Sequence, residues 1–91
     1  MSTWEELKDL GNNQFKQGNY NQAISIYTDA IKQYPEQDVL YANRALCYKS
    51  IGNFRNAILD LEKSLGINPK SVKNLKRKAE YCLSIGNFSE A

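Results

Sequence analysis

Five polar side chains of this 91-residue chain have types and spacings that suit the binding of a carboxylate. Lys8 and Asn12 are four residues apart, as are Lys73 and Arg77, and Asn43 lies between the two pairs. Residues four apart share one face of a helix, so each pair would point its groups in one direction. Cationic and amide N–H groups donate to carboxylate oxygens, and charge-assisted bonds contribute about 1.5–3 kcal/mol each. Helices that brought the five together would hold one carboxylate, or two carboxylates a few ångströms apart.

The elements that must position these groups repeat along the chain. Gly18, Gly52 and Gly86 stand at intervals of 34 residues, and each is followed by Asn and then by an aromatic residue. Other small and turn-forming positions match at the same interval: Gly11 with Ala45 and Ala79, Ala23 with Ala57 and Ala91, and Pro35 with Pro69. A period of this length indicates stacked helix pairs, because one pair is too small to bury its own apolar face.

Each repeat is predicted to contain two helices joined by a tight turn. In the first repeat, Thr3 and Glu6 have the spacing of a capping box at the start of a helix. Gly18 is expected to end that helix, because glycine adopts the left-handed backbone conformation without a steric cost. A second helix then carries an apolar stripe until Pro35 stops it.

The repeats are predicted at about 4–37, 38–71 and 72–91, in one domain of about two and a half repeats. The third begins near residue 72 and is expected to turn at Gly86, so that its second helix has barely begun at Ala91. We therefore expect a piece of a longer protein, in which one face of the last helix is partly exposed (Tyr81, Cys82, Ile85). That end would either fray or be covered by a second copy of the chain.

This pattern resembles the tetratricopeptide repeat over essentially the whole chain. The resemblance implies an all-α fold, a right-handed superhelix of antiparallel helix pairs in which the first helix of each pair lines a concave groove. Three residues depart from the usual pattern. Gln14 stands where a bulky apolar or aromatic residue is usual, Arg44 where leucine is usual, and Ser64 where alanine is usual. We expect these departures to weaken local packing.

The five polar residues match, position by position, the two-carboxylate clamp of the chaperone-binding members of this family. The segments "LKDLGNNQF", "YANRALCY" and "VKNLKRKA" are similar to the N-terminal domain of Hop-type co-chaperones, which binds the C-terminal Glu-Glu-Val-Asp of cytosolic heat-shock chaperones. The resemblance implies that Lys8, Asn12 and Asn43 hold the terminal carboxylate. It implies that Lys73 holds the aspartate side chain, and Arg77 that side chain or nearby peptide backbone. The implied function is that of a cytoplasmic, non-catalytic interaction module of a co-chaperone.

Four residues beside the clamp are expected to border the peptide groove: Phe15, Leu46, Lys49 and Lys76. Leu46 and Lys49 stand where Hop-type first domains tend to have small residues, which leaves the preferred chaperone class open. Lys49 and Lys76 add positive charge, which would favour an acidic peptide upstream of the terminus.

Two other functions remain open on the sequence alone. The repeat could bind another peptide, since one fold serves many functions. It could also be the targeting or regulatory domain of a larger enzyme such as a phosphatase, ubiquitin ligase or prolyl isomerase. Nucleic-acid binding through residues 70–78 is disfavoured, because aromatic residues are absent from that basic stretch and the net charge is only +2.

The composition disfavours several other classes. The chain has no histidine, which removes histidine acid–base chemistry and most zinc sites, so we expect no catalysis, metal or cofactor. No apolar run approaches a membrane span, and the first residues do not form a signal peptide, so no membrane partner is expected. Cys47 and Cys82 are interpreted as small buried thiols of an intracellular protein.

Overall fold

The computed structural model describes the backbone of residues 3–89 and the side chains of residues 3–85. In this range it contains five helices and no strand: α1 (Trp4–Lys16), α2 (Tyr20–Gln33), α3 (Asp38–Ser50), α4 (Phe54–Ile67) and α5 (Val72–Ser89). Each helix packs on the next along the chain, and α1 also contacts α3. In addition, α3 and the start of α5 line one cavity. We call α1, α3 and α5 the inner layer, and α2 and α4 the outer layer. The predicted all-α superhelix is confirmed.

The predicted helix start and the first two predicted turns are present. The Glu6 N–H donates to Thr3 Oγ1 and the Thr3 N–H donates to the Glu6 carboxylate, which completes the capping box. Gly18 and Gly52 have φ values of +83° and +82°, in the left-handed region that favours glycine. Each turn reverses the chain so that the following helix packs back on the preceding one.

The third predicted turn is wrong, because α5 continues through Gly86 to Ser89. Glycine permits a turn without requiring one, and a helix that continues through a glycine keeps adding backbone hydrogen bonds. No helix follows α5 in the part of the chain that the structure describes. The predicted match of Ala91 with Ala23 and Ala57 lies outside the described residues.

The core lies between the two layers in two clusters. One gathers Ala23, Tyr27, Ala30, Leu40 and Cys47, and the other Ala45, Ala57, Leu61 and Tyr81. Tyr81 is only 3% exposed, so its predicted partial exposure is wrong. Its ring packs edge-to-face on Phe54, with 5.9 Å between the ring centroids, and this contact fixes the middle of α5 on α4. Ile85 is half-buried and Cys82 exposed, which agrees with the exposure expected at this end of the chain and not with the interpretation of Cys82 as a buried thiol.

The two cysteines differ in exposure. Cys47 is buried and Cys82 is exposed, so the prediction of two buried thiols holds for Cys47 alone. Burial raises the pKa of the Cys47 thiol to about 11. At pH 8 we expect one thiol per chain to react rapidly with dithiobis(nitrobenzoate), and the second only after unfolding in guanidinium chloride. Cys82→Ser is expected to abolish the rapid phase. Two rapid thiols in the native chain would contradict the burial of Cys47.

None of the helices described here is both long enough and apolar enough to cross a membrane. Among the described residues, no three of the side-chain types His, Cys, Asp and Glu are grouped so as to hold a metal ion.

Candidate carboxylate-binding site

The amides of Asn12 and Asn43 meet between α1 and α3. Asn43 Nδ2 donates to Asn12 Oδ1 over 3.2 Å, and the Tyr27 hydroxyl of α2 donates to the same oxygen. Two donors at one oxygen fix the orientation of the Asn12 amide, so its NH₂ group faces away from them. Asn12 Nδ2 and the second N–H of Asn43 therefore remain as donors, which suits a ligand that offers oxygen.

The position of Tyr27 depends on the residue before Asn12. Gly11 lies against the Tyr27 ring, where an added Cβ would stand 2.4 Å from Cε1. The missing side chain lets the ring, which is 1% exposed, pass between α1 and α2 and bring its hydroxyl to Asn12. Burial raises the pKa of the Tyr27 phenol, so the hydroxyl keeps its proton and acts as a donor.

A cavity of about 180 Å³ opens between α3 and α5. It is lined from α3 by Asp38, Val39, Ala42 and Asn43, and from the start of α5 by Ser71, Lys73, Asn74 and Arg77. It brings together three of the five predicted clamp residues, and the bond between the two asparagines joins it to α1. The cavity is smaller than the roughly 300–1,000 Å³ of sites that enclose a small molecule, and so it suits a group that enters end-on, such as a chain terminus.

The cations of this cavity form no ion pair with any side chain that the structure describes. Within the described side chains, ion pairs join Arg44 to Asp60 and Lys78 to Glu62, and neither includes a clamp residue. Arg77 Nη1 donates to the neutral Asn74 Oδ1 over 3.3 Å. Lys73 is exposed. Their positive charge is therefore available to an anionic ligand.

Among the described residues that line the cavity, Asp38 is the acidic one. Its place there was not predicted from the sequence. One oxygen of its carboxylate accepts from Asn68 Nδ2 over 3.3 Å. It stands at the first position of α3, where the positive end of the helix dipole favours a carboxylate.

Lys8 lies on α1 one turn before Asn12 and is outside the described lining of the cavity. Its Nζ stands over the Trp4 ring, 5.5 Å from the centroid. Both residues are half-buried, and a cation–π contact contributes about 0.5–2 kcal/mol. A charge-assisted bond is at least comparable, so a carboxylate at Asn12 would compete with the ring for the ammonium.

The four predicted groove neighbours are also outside the described lining. Phe15 packs edge-to-face on Tyr20, with 5.4 Å between the centroids, and against the first core cluster. Leu46 is half-buried, while Lys49 and Lys76 are exposed. The contact of these four residues with a peptide stays a prediction.

Two departures from the usual repeat make polar contacts, contrary to the expected weakening of the packing. Arg44 Nε and Nη2 donate to the two oxygens of Asp60 over 2.8 and 2.7 Å, and Nη1 donates to Thr28 Oγ1 over 3.1 Å. The Asp60 carboxylate raises the pKa of Arg44, which stays charged. Ser64 Oγ accepts from Asn74 Nδ2 over 3.0 Å. Both contacts join different helices.

Sequence reasoning missed two residues that form hydrogen bonds with predicted clamp side chains, Tyr27 and Asn74. For Tyr27 the signal was present, because Tyr27 carries a hydroxyl where the matching residue, Leu61, has no polar group. For Asn74 the signal was its place between Lys73 and Arg77, three residues before the arginine and so on the same helix face.

Comparison with known proteins identifies the pattern. Two family models described as "Tetratricopeptide repeat" match residues 4–37 and 39–71. The solved structure of the second TPR domain of Spaghetti (RPAP3), bound to the HSP90 peptide SRMEEVD, is similar with a TM-score of 0.88 and 30% identity. That comparison covers 96% of this chain and 81% of the other.

Two curated relatives are much longer than this chain. The Hsp70-Hsp90 organizing protein of Triticum aestivum is 36% identical over 87 residues, which are 96% of this chain and 15% of the relative. The U-box domain-containing protein 70 of Oryza sativa subsp. japonica is 34% identical over 84 residues, which are 92% of this chain and 10% of the relative.

Proposed function

Because the chain belongs to the tetratricopeptide-repeat family, we propose that it is a peptide-binding module of a cytoplasmic co-chaperone. It binds the C-terminal Glu-Glu-Val-Asp of a heat-shock chaperone on the inner layer. The observation that carries this proposal is the fixed amide pair of Asn12 and Asn43 beside the cavity with Lys73 and Arg77. A solved structure similar to the chain holds a peptide with that ending.

In this proposal the terminal main-chain carboxylate accepts from Lys8, Asn12 and Asn43. Lys73 takes the aspartate side chain, and Arg77 takes that side chain or the nearby peptide backbone. Charge-assisted bonds of about 1.5–3 kcal/mol each, less the cost of association, give a binding free energy of about −7 to −8 kcal/mol. That corresponds to a micromolar dissociation constant, which suits reversible association with an abundant partner.

The module acts by binding, and the proposal requires no catalysis by the chain itself. We infer a second candidate function, that of a targeting domain in a larger protein, because the match covers only 10% of the U-box domain-containing protein. Such a segment would recruit a chaperone to a larger enzyme through the same peptide contacts. The chemistry of the cavity is the same in both cases.

Calorimetric titration with the peptide SRMEEVD tests the proposal. We expect a micromolar dissociation constant for the free acid and at least about 30-fold weaker binding of the same peptide amidated at its C-terminus. Lys8→Ala and Arg77→Ala are each expected to weaken the free acid about tenfold or more. Lys32→Ala is the matched control, since Lys32 is an exposed cation on the outer helix α2, and it should leave the affinity unchanged.

Circular dichroism of each variant shows that the chain tested is folded. Equal binding of the acid and the amide would mean that the peptide is recognised through its side chains, and the roles of Lys8, Asn12 and Asn43 would be wrong. A folded chain that binds neither peptide would overturn the proposed ligand.

A further inference from the structure

The buried Asn74 links α4 to the guanidinium of Arg77, and we propose that it is a positioning residue of the clamp. Together with Ser64 it holds Arg77 at the cavity between α3 and α5 before a peptide carboxylate arrives. This inference rests on the proposed function of the same site, and it adds two residues that do not themselves need to contact the peptide.

A chain of hydrogen bonds carries the inference. Asn74 Nδ2 donates to Ser64 Oγ over 3.0 Å, and Asn74 Oδ1 accepts from Arg77 Nη1 over 3.3 Å. The Asn74 backbone N–H also donates to Ser71 Oγ over 3.3 Å, at the start of α5. Because the NH₂ group of Asn74 is directed at the serine, its carbonyl oxygen is the atom that faces the arginine.

Burial makes this arrangement specific. Asn74 is 5% exposed and Ser64 is completely buried. A buried amide is unfavourable unless it is hydrogen-bonded, and asparagine is a middling helix former, so neither packing nor propensity accounts for it in the first turn of α5. Its two side-chain bonds account for it, since they satisfy the amide and join α4 to Arg77.

The neutrality of Asn74 matters for the ligand. One N–H of Arg77 bonds the amide oxygen, while the other guanidinium N–H groups and the full positive charge stay available for a carboxylate. An arginine that is already held loses less conformational freedom on binding than one that is free in solvent. Asn74 therefore increases affinity without neutralising the cation that it holds.

A purely structural role is the competing interpretation, in which Asn74 and Ser64 only tie α5 to α4. A double-mutant cycle separates the two, with calorimetric titration of SRMEEVD into Asn74→Ala, Arg77→Ala and the double variant. We expect Asn74→Ala to weaken binding about three- to tenfold in the wild-type chain and not at all in the Arg77→Ala chain. The same weakening in both backgrounds would overturn the proposal. Asn21→Ala, which removes an exposed asparagine of α2, should have no effect.

A second measurement needs no peptide. In the free chain, the ¹⁵N order parameter of the Arg77 Nε–H is expected to fall in Asn74→Ala and in Ser64→Ala. It should not change in Ser84→Ala. That variant also removes a hydroxyl from α5, but one that donates to the Glu80 carbonyl oxygen. If Asn74→Ala does not fold, the order parameter is measured in Ser64→Ala alone.

An unchanged order parameter in both folded variants would overturn the positioning role. A lowered order parameter in the folded variants, together with a wild-type chain that binds no SRMEEVD, would support positioning of Arg77 and refute the proposed peptide. The two proposals therefore fail by different results.

Discussion

Gly11→Ala is expected to lower the free energy of unfolding by about 2–3 kcal/mol, although alanine is the better helix former. An added Cβ would stand 2.4 Å from Tyr27 Cε1 and 2.6 Å from Cζ. The ring is rigid and 1% exposed, so it cannot move aside without displacing α2. In a domain of this size the loss corresponds to a fall of about 15 °C in Tm, which thermal and guanidinium unfolding would both detect.

Gly66→Ala is the matched control, because Gly66 is also helical and an added Cβ there would meet nothing within 4 Å. We expect that variant to be about 0.5–1 kcal/mol more stable than the wild type. The second repeat has Ala45 and Leu61 at the positions of Gly11 and Tyr27, both in one core cluster. Gly11→Ala combined with Tyr27→Leu should therefore recover most of the lost stability. A Gly11→Ala chain with the same Tm as the wild type would refute the close contact between Gly11 and Tyr27.

The architecture could be predicted because its determinants are local and repeated. The capping box at Thr3, the glycine turns at Gly18 and Gly52, and the small residues at a fixed interval each specify one helix end or one close approach, and the first two repeats agree. The turn at Gly86 could not be predicted in the same way. Gly18 and Gly86 have the same local sequence pattern, but a turn also requires a following helix to pack against, and that depends on tertiary contacts.

The binding of a carboxylate by the predicted clamp residues is still a prediction. The grouping of Lys73 with Arg77 was predictable, since four-residue spacing places them on one face of a helix, and both line the cavity with Asn43. The direction of each hydrogen bond was not. The sequence does not show that Tyr27 donates to Asn12, or that Asn74 bonds a serine of the preceding helix, because those bonds depend on how the helices approach each other. Arg44 was interpreted as a loss of packing for the same reason, since its partner is 16 residues away.

Asp60→Ala is expected to lower the free energy of unfolding by about 3 kcal/mol, because it leaves the charge of Arg44 largely buried without its partner. The Asp60 and Arg44 side chains are only 6% and 18% exposed. After the substitution, the Arg44 guanidinium keeps its hydrogen bond to the Thr28 hydroxyl. It also keeps its contacts with the rings of Tyr41 and Tyr48, whose centroids are 6.0 and 5.8 Å from Arg44 Cζ. These groups do not carry the negative charge that compensated its burial. Unfolding of Asp60→Ala in guanidinium chloride measures this loss of free energy of unfolding.

Arg44→Leu combined with Asp60→Ala is expected to recover stability to within about 1 kcal/mol of the wild type, since removing both charges also removes the cost of burying them.

Glu62→Ala is the control for a surface ion pair. It breaks the 3.9 Å contact between Glu62 and Lys78, whose side chains are 50% and 38% exposed. We expect it to change the free energy of unfolding by less than about 0.5 kcal/mol. If Asp60→Ala proved as mild as Glu62→Ala, solvent would be screening the Arg44 pair. If the double variant were no more stable than Asp60→Ala, the buried arginine would not be the source of the loss. Arg44 follows Asn43 in the chain, but neither Arg44 nor Asp60 is among the described residues that line the cavity. None of these three variants should therefore alter the affinity for SRMEEVD beyond the loss of folded chain.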